Sequence, residues 1–187
     1  MTKSRHATRS MPTACGITLI ELSLSMLITS ILVSLSFPSM LDLRSSTETT
    51  ITLQRLNNAL ESAKVAAIST GEIVTLCGSA DSINCQEGWS DGLLSFIDRN
   101  DNRELDGIDQ ALNWQSMRDI NGTIRWQAFG NRQYLLLDPR GMMGTQNGSF
   151  TYCNLSTDLR AAAKLIINRT ARSRTLRDLN PLHYCPP

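Results

Sequence analysis

The chain has 187 residues, a length for which one modest domain plus an appendage is the natural expectation. Its hydrophobic content of 41% is enough for a packed core. The net charge of +1 conceals a split: residues 41–117 carry 5 Lys/Arg against 12 Asp/Glu, and residues 118–187 carry 10 against 4. Such polarity either orients a surface toward a charged partner or is screened within one fold.

Residues 1–16 hold Lys3, Arg5 and Arg9 and no acid. An apolar run, Ile17 to Phe37, follows with Glu21 as its one formal charge, and Pro38 closes it. At about 1.5 Å rise per residue this run matches a bilayer core of about 30 Å. The basic flank predicts a cytoplasmic N-terminus, with the remainder on the far side. Gly16, the small residue of a cleavage site, precedes the apolar run instead of following it, so cleavage there retains the membrane helix. It also frees an amine at Ile17, four residues from Glu21. A carboxylate inside a membrane requires a partner, and that amine, from the same or a neighbouring chain, supplies one. The alternative is that Glu21 snorkels at the interface. Ser23, Ser30 and Ser34 share a helical face, suited either to close helix approach or to bonding back onto their own helix.

Gly16-Ile17-Thr18-Leu19-Ile20-Glu21, between a basic leader and an apolar helix, resembles the processing site of type IV pilins and type II secretion pseudopilins. The resemblance implies cleavage after Gly16 by a prepilin peptidase and methylation of Ile17. It also implies a role for Glu21 in filament assembly and a single-pass inner-membrane subunit with a periplasmic head. Ile17 stands where the family usually has Phe.

Beyond the anchor, residues 47–67 contain no Gly or Pro, and Leu53, Leu56, Leu60, Ala63 and Ala67 make one amphipathic stripe. Gly71 supplies a stop signal. The chain therefore divides into a leader (1–16), a transmembrane helix (17–37), an amphipathic helix (38–70) and a β-rich head (71–187). About seven strands are predicted in the head: Ile73–Cys77, Leu93–Ile97, Trp114–Ile120, Thr123–Phe129, Gln133–Leu137, Phe150–Cys153 and Leu165–Ile167. Asn121-Gly122 predicts a tight hairpin between the third and fourth. The fold class is α+β, a long N-terminal helix packed on an antiparallel head. The segment from Ala63 to Asp109, with its two Cys, its Trp and its acidic hairpin, resembles the GspH/FimT branch of minor pseudopilins.

Removal of Cys15 with the leader leaves Cys77, Cys85, Cys153 and Cys185, an even number suited to an oxidising compartment. Three pairings exist. Cys77–Cys85, closing a small loop after a strand, with Cys153–Cys185, pinning the tail, is favoured. Zinc is disfavoured, since there is no CxxC and only His183 survives cleavage.

No nucleophile elbow, phosphate loop or His-metal motif is present, so a non-catalytic role without a cofactor is expected. Asp98, Asn100, Asn102, Asp106 and Asp109 fall at oxygen-ligand positions of a calcium-loop register. Arg103 replaces its turn Gly, however, and the flanks read as strands, so a solvated polar loop competes. Arg160, Lys164, Arg169, Arg172, Arg174 and Arg177 lie between Asp158 and Asp178 with no acid among them. Ala171-Arg172-Ser173-Arg174 resembles the C-terminal Gly-Arg-x-Arg motif of FimT-type minor pilins, which implies DNA binding for uptake, with Ala171 in place of Gly; the cluster also fits a solvated charged strand edge that resists aggregation, or a contact to the acidic face of the next subunit. Trp126 and Tyr134 are candidates for stacking on bases, although Trp126 also fits the core. Two functions compete: a pilus subunit that also binds DNA, and a purely structural type II secretion pseudopilin. The partners implied are other pilin subunits, the peptidase, the inner membrane and, in the first case, DNA.

Overall fold

The computed structural model of the chain describes residues 16–130, 132–155 and 162–185, with the side chains of 35–42, Asp178, Pro181 and Leu182 left aside. The chain forms two compact units, Met1–Met40 and Leu41–Pro187.

Helix α1 spans Leu19–Thr70. At its start, Thr18 Oγ1 accepts a hydrogen bond from the Glu21 amide and the Thr18 carbonyl accepts from the Leu22 amide, an N-cap that satisfies donors the first turn leaves open. Glu21 in that turn complements the helix dipole. Within the first unit the serines bond back to their own helix: Ser23 donates to the Leu19 carbonyl, Ser30 to Leu27 and Ser34 to Ile31. The large apolar side chains from Ile17 to Val33 are exposed.

In the second unit Leu53, Leu56, Leu60, Ala63 and Ala67 are all buried, as the stripe requires. The buried face also takes in Thr49, Thr52 and Ala59. The helix stops at Gly71, whose amide reaches the Ala67 carbonyl at φ +70°, a left-handed conformation that costs glycine least.

Eight strands follow among the described residues: β1 (Val74–Gly78), β2 (Gly92–Ile97), β3 (Gln110–Ser116), β4 (Gly122–Ala128), β5 (Tyr134–Leu137), β6 (Gly148–Asn154), β7 (Ala162–Ile167) and β8 (Ser173–Leu179). They form two antiparallel sheets, ordered β3-β2-β1-β5 and β4-β6-β7-β8. A short helix, α2 (Pro181–Tyr184), ends the chain. One face of each sheet meets α1 in a common core, where Trp89, Trp126 and Phe150 stack with ring centroids 4.5–6.2 Å apart. Cys77, Leu94 and Phe96 form a smaller cluster with Cys85, Leu105 and Tyr134.

The expected Asn121-Gly122 hairpin does not form. β3 ends at Ser116 and pairs with β2, while β4 pairs with β6 in the other sheet. Met117, fully buried, turns the chain between the sheets, and the Ile120 amide bonds to its carbonyl. Gly122 meets a different demand: a Cβ there would lie 2.5 Å from the Cys153 carbonyl and from the Tyr152 ring. β8 lies beyond the seven predicted strands, where a charged strand edge is one reading of the Arg cluster. It is an edge strand whose polar and charged residues hide the period-2 signal.

Candidate functional site

The residues expected to be processed sit in the first unit. Gly16 is exposed with open space around it, and Ile17 and Glu21 are exposed. Residues 1–15 of the expected leader, with Cys15, lie outside the described residues. Among the described residues no helix is long and apolar enough to cross a membrane. The exposed apolar run is described through Ser34, and the side chains of 35–37, which complete the expected span, lie outside that description.

In the second unit Glu48 fastens α1 to the second sheet, a contact no sequence pattern marks. Its carboxylate accepts from the Asn121 amide and from the buried Tyr152 hydroxyl at 2.9 Å. Burial, and then the Glu48 bond, push the Tyr152 hydroxyl well above the ordinary tyrosine range. Arg55 makes a bidentate pair with Asp119 at 2.6 and 2.7 Å. That hydrogen bonding raises Arg55 and lowers Asp119 from their ordinary values.

Four cysteines form Cys77–Cys85 and Cys153–Cys185, with Cα separations of 5.5 and 5.8 Å. The second bond folds the C-terminal tail over one end of the second sheet, where Lys164 lies 4.8 Å from the Tyr184 ring.

The acidic loop closes on itself between β2 and β3. Buried Asp98 accepts from Thr75 Oγ1 and from the amides of Asn102 and Arg103. Asn100 and Asn102 donate to Asp106, and Asp109 accepts from the Arg99 and Asp106 amides. The Ile108 amide, then Asn100, hold the Asp106 carboxyl below its usual range. Arg103 itself takes the left-handed turn conformation, φ +67°. Among the described residues no three Asp, Glu, His or Cys side chains gather to hold a metal.

The C-terminal cations divide between two faces. In an antiparallel sheet directly paired residues point the same way and neighbours along a strand alternate. Trp126, Phe150, Leu165 and Thr175 are linked in register and face α1. Ser173 on that side bonds to Asn57, and Arg177 Nη1 donates to Thr50 Oγ1 at 3.0 Å. The opposite register links Arg125, Thr151, Lys164 and Leu176 in one row and Gln127, Ser149, Ile166 and Arg174 in the next. Arg172 and Arg174 are exposed on this outer side. Arg169, in the β7–β8 turn, donates to the Gly144 carbonyl at 2.7 Å. Arg160 lies outside the described residues. Trp126 is core, and Tyr134 is half-buried with Arg103 over its ring at 5.5 Å.

The departure from glycine at Ala171 leaves the turn intact. Ala171 adopts φ +51°, its amide bonds to the Asn168 carbonyl, and Asn168 Oδ1 gathers the amides of Thr170 and Arg172.

A helix packed by an apolar stripe on two antiparallel sheets, with an exposed apolar N-terminal segment, defines a pilin-like subunit of the minor pilin or pseudopilin type. The chain belongs to the family of the type II transport protein GspH, whose family model matches residues 52–171. Family and fold are those of structural pilin subunits. The type IV minor pilin FimU of Pseudomonas aeruginosa, in one crystal form, is 17% identical over 70% of this chain and 90% of its own, with a TM-score of 0.51. A second crystal form of FimU is 17% identical over 68% and 91%, with a TM-score of 0.48. At this identity the likeness is one of fold. No curated protein matches the chain significantly.

Proposed function

We propose that this chain is a minor filament subunit of a type IV pilus or type II secretion machine, cleaved after Gly16 by a prepilin peptidase, methylated at Ile17 and held in the inner membrane by residues 17–37 before assembly. The observation that carries this reading is the exposure of Ile17, Leu19, Ile20, Leu22 and the apolar residues through Val33, with Glu21 as the one charge among them. An exposed apolar surface of this kind needs lipid or neighbouring helices to cover it. Once it is covered, Glu21 requires a counter-charge, and the Ile17 amine of an adjacent subunit is the group of matching chemistry. The head would then stand outside the cytoplasm, where the two disulfides persist. Glu21→Ala tests this: the variant should be processed and membrane-bound yet absent from sheared filaments. Recovery in filaments at the wild-type level would overturn the assembly role.

A second reading, DNA binding during uptake, is favoured by the exposure of Arg172 and Arg174 on the side of the sheet that also carries Lys164. Three such cations neutralising duplex phosphates give a log–log salt slope of about −3. Arg172→Ala with Arg174→Ala in the detergent-solubilised chain should weaken retarded complexes in a gel-shift assay. A wild-type chain without salt-sensitive affinity would leave the purely structural type II secretion subunit as the answer.

A further inference from the structure

The outer face of the second sheet carries more than the C-terminal cations. Arg125 and Gln127 project from β4 on the same side as Arg174, as their register through β6 and β7 requires. The Phe129 amide continues the β4–β6 ladder by bonding to the Asn147 carbonyl. The alternation therefore sets Phe129 beside Gln127 on this face. Across the sheet the Asn168 amide bonds to the Arg172 carbonyl and extends the β7–β8 ladder in the same direction.

Two features separate this surface from an ordinary solvated sheet. First, no outward register position of β4, β6 or β7 is Asp or Glu, in a chain whose residues 41–117 are strongly acidic. Second, Phe129 is 80% exposed, whereas Phe96, Phe150, Tyr152, Trp89 and Trp126 are all buried. The tail bonded through Cys153–Cys185 covers one end of this face, while Gln127, Arg174, Phe129 and Arg172 lie at the other, all exposed. At about 4.8 Å per strand, β4 and β8 stand about 14 Å apart, with Ser149 and Ile166 between their outward residues.

We propose that this open end is a platform for single-stranded nucleic acid, on which Phe129 stacks a base while Arg125, Arg172 and Arg174 hold phosphates. The proposal rests on the nucleic-acid reading of the Arg cluster and specifies its substrate. An exposed ring can stack only on a base that is not already stacked in a duplex, and arginines along a groove or face track the backbone without reading sequence. Arg177, held against Thr50 on the α1 side, lies outside the platform.

Fluorescence anisotropy of the full chain in non-ionic detergent, with a short oligothymidine and a duplex of equal length, tests the proposal. The single strand should bind more tightly. Phe129→Ala should lower its affinity by about fivefold or more, the loss of one stacked base, and leave duplex affinity unchanged. Arg125→Ala should weaken it as well, while Arg177→Ala should not. All three side chains are exposed, so the melting temperature should hold and report an intact fold. If Arg172→Ala and Arg174→Ala weaken binding while Arg125→Ala and Phe129→Ala do not, the platform is wrong and the Arg-cluster reading stands. If heparin binds as tightly as the oligonucleotide and Phe129→Ala is silent, the face is a general polyanion surface and the nucleic-acid assignment is overturned. If the wild-type chain binds neither strand nor duplex, both readings fall.

Discussion

Leu60→Ala is the sharpest test of how the head is built. Leu60 is 0% exposed and lies in the middle of the α1 stripe, against a core drawn from both sheets. Truncation removes three carbons and leaves a cavity whose walls, a helix and two sheets, cannot close over it. Leu→Ala substitutions at such sites cost about 2–5 kcal/mol, and about 3 kcal/mol is expected here. For a unit of this size each kcal/mol lowers Tm by about 2–4 °C, so the expected fall is about 6–12 °C. Val65, five residues on and 63% exposed, supplies the control. Val65→Ala loses almost no burial and gains helix propensity, so its effect should stay within about 0.5 kcal/mol. Near-ultraviolet circular dichroism follows both transitions through the buried Trp89–Trp126–Phe150 cluster. A Leu60→Ala shift under about 2 °C, or a larger shift for Val65→Ala, would mean that α1 packs by a different face.

Three further outcomes are expected. Loss of Cys153–Cys185, with a sequence separation of 32, should cost about 4 kcal/mol in the chain-entropy account, and loss of Cys77–Cys85, with a separation of 8, about 2.5 kcal/mol; urea titrations of the two double Cys→Ser variants give the order. Gly122→Ala should destabilise by about 1–3 kcal/mol in the same titration, because its methyl meets the Cys153 carbonyl and the Tyr152 ring. The Tyr152 hydroxyl is raised in the folded chain, so the unfolded chain releases that proton first. Its contribution is fully present below about pH 10 and is lost as pH rises toward the folded value, at up to about 1.4 kcal/mol per pH unit. Tyr152→Phe should flatten this alkaline decline in urea midpoints measured at rising pH, and an unchanged decline would refute the assignment.

The features legible in the sequence were those written in local chemistry. The α1 stripe is a period of 3.6, and Gly71 ends it because the last turn needs a left-handed residue. β4 shows its alternation plainly, since Ile124 and Trp126 face the core and Thr123, Arg125 and Gln127 do not. Partner choice was not legible. Asn121-Gly122 carries a hairpin signal, yet Met117 diverts the chain into the other sheet, and Gly122 answers to Tyr152, thirty residues on. β8 escaped because Arg174 and Arg177 mask its alternation. The same masking concealed that these two arginines serve opposite sides, one at an exposed face and one at Thr50. Glu48 reads as an ordinary helix surface residue until Tyr152 and Asn121 arrive from the sheet to meet it. Phe129 was assigned to a strand, but only the topology places it on the same face as the cations.

The most direct measurement of the account is the intact mass and N-terminal sequence of the protein recovered from its native membrane or filament. The account predicts a chain that begins at Ile17, carries one methyl group on its amine and retains Glu21 and the apolar segment. A chain with residues 1–16 still attached, or one that has lost the segment through Phe37, would contradict it.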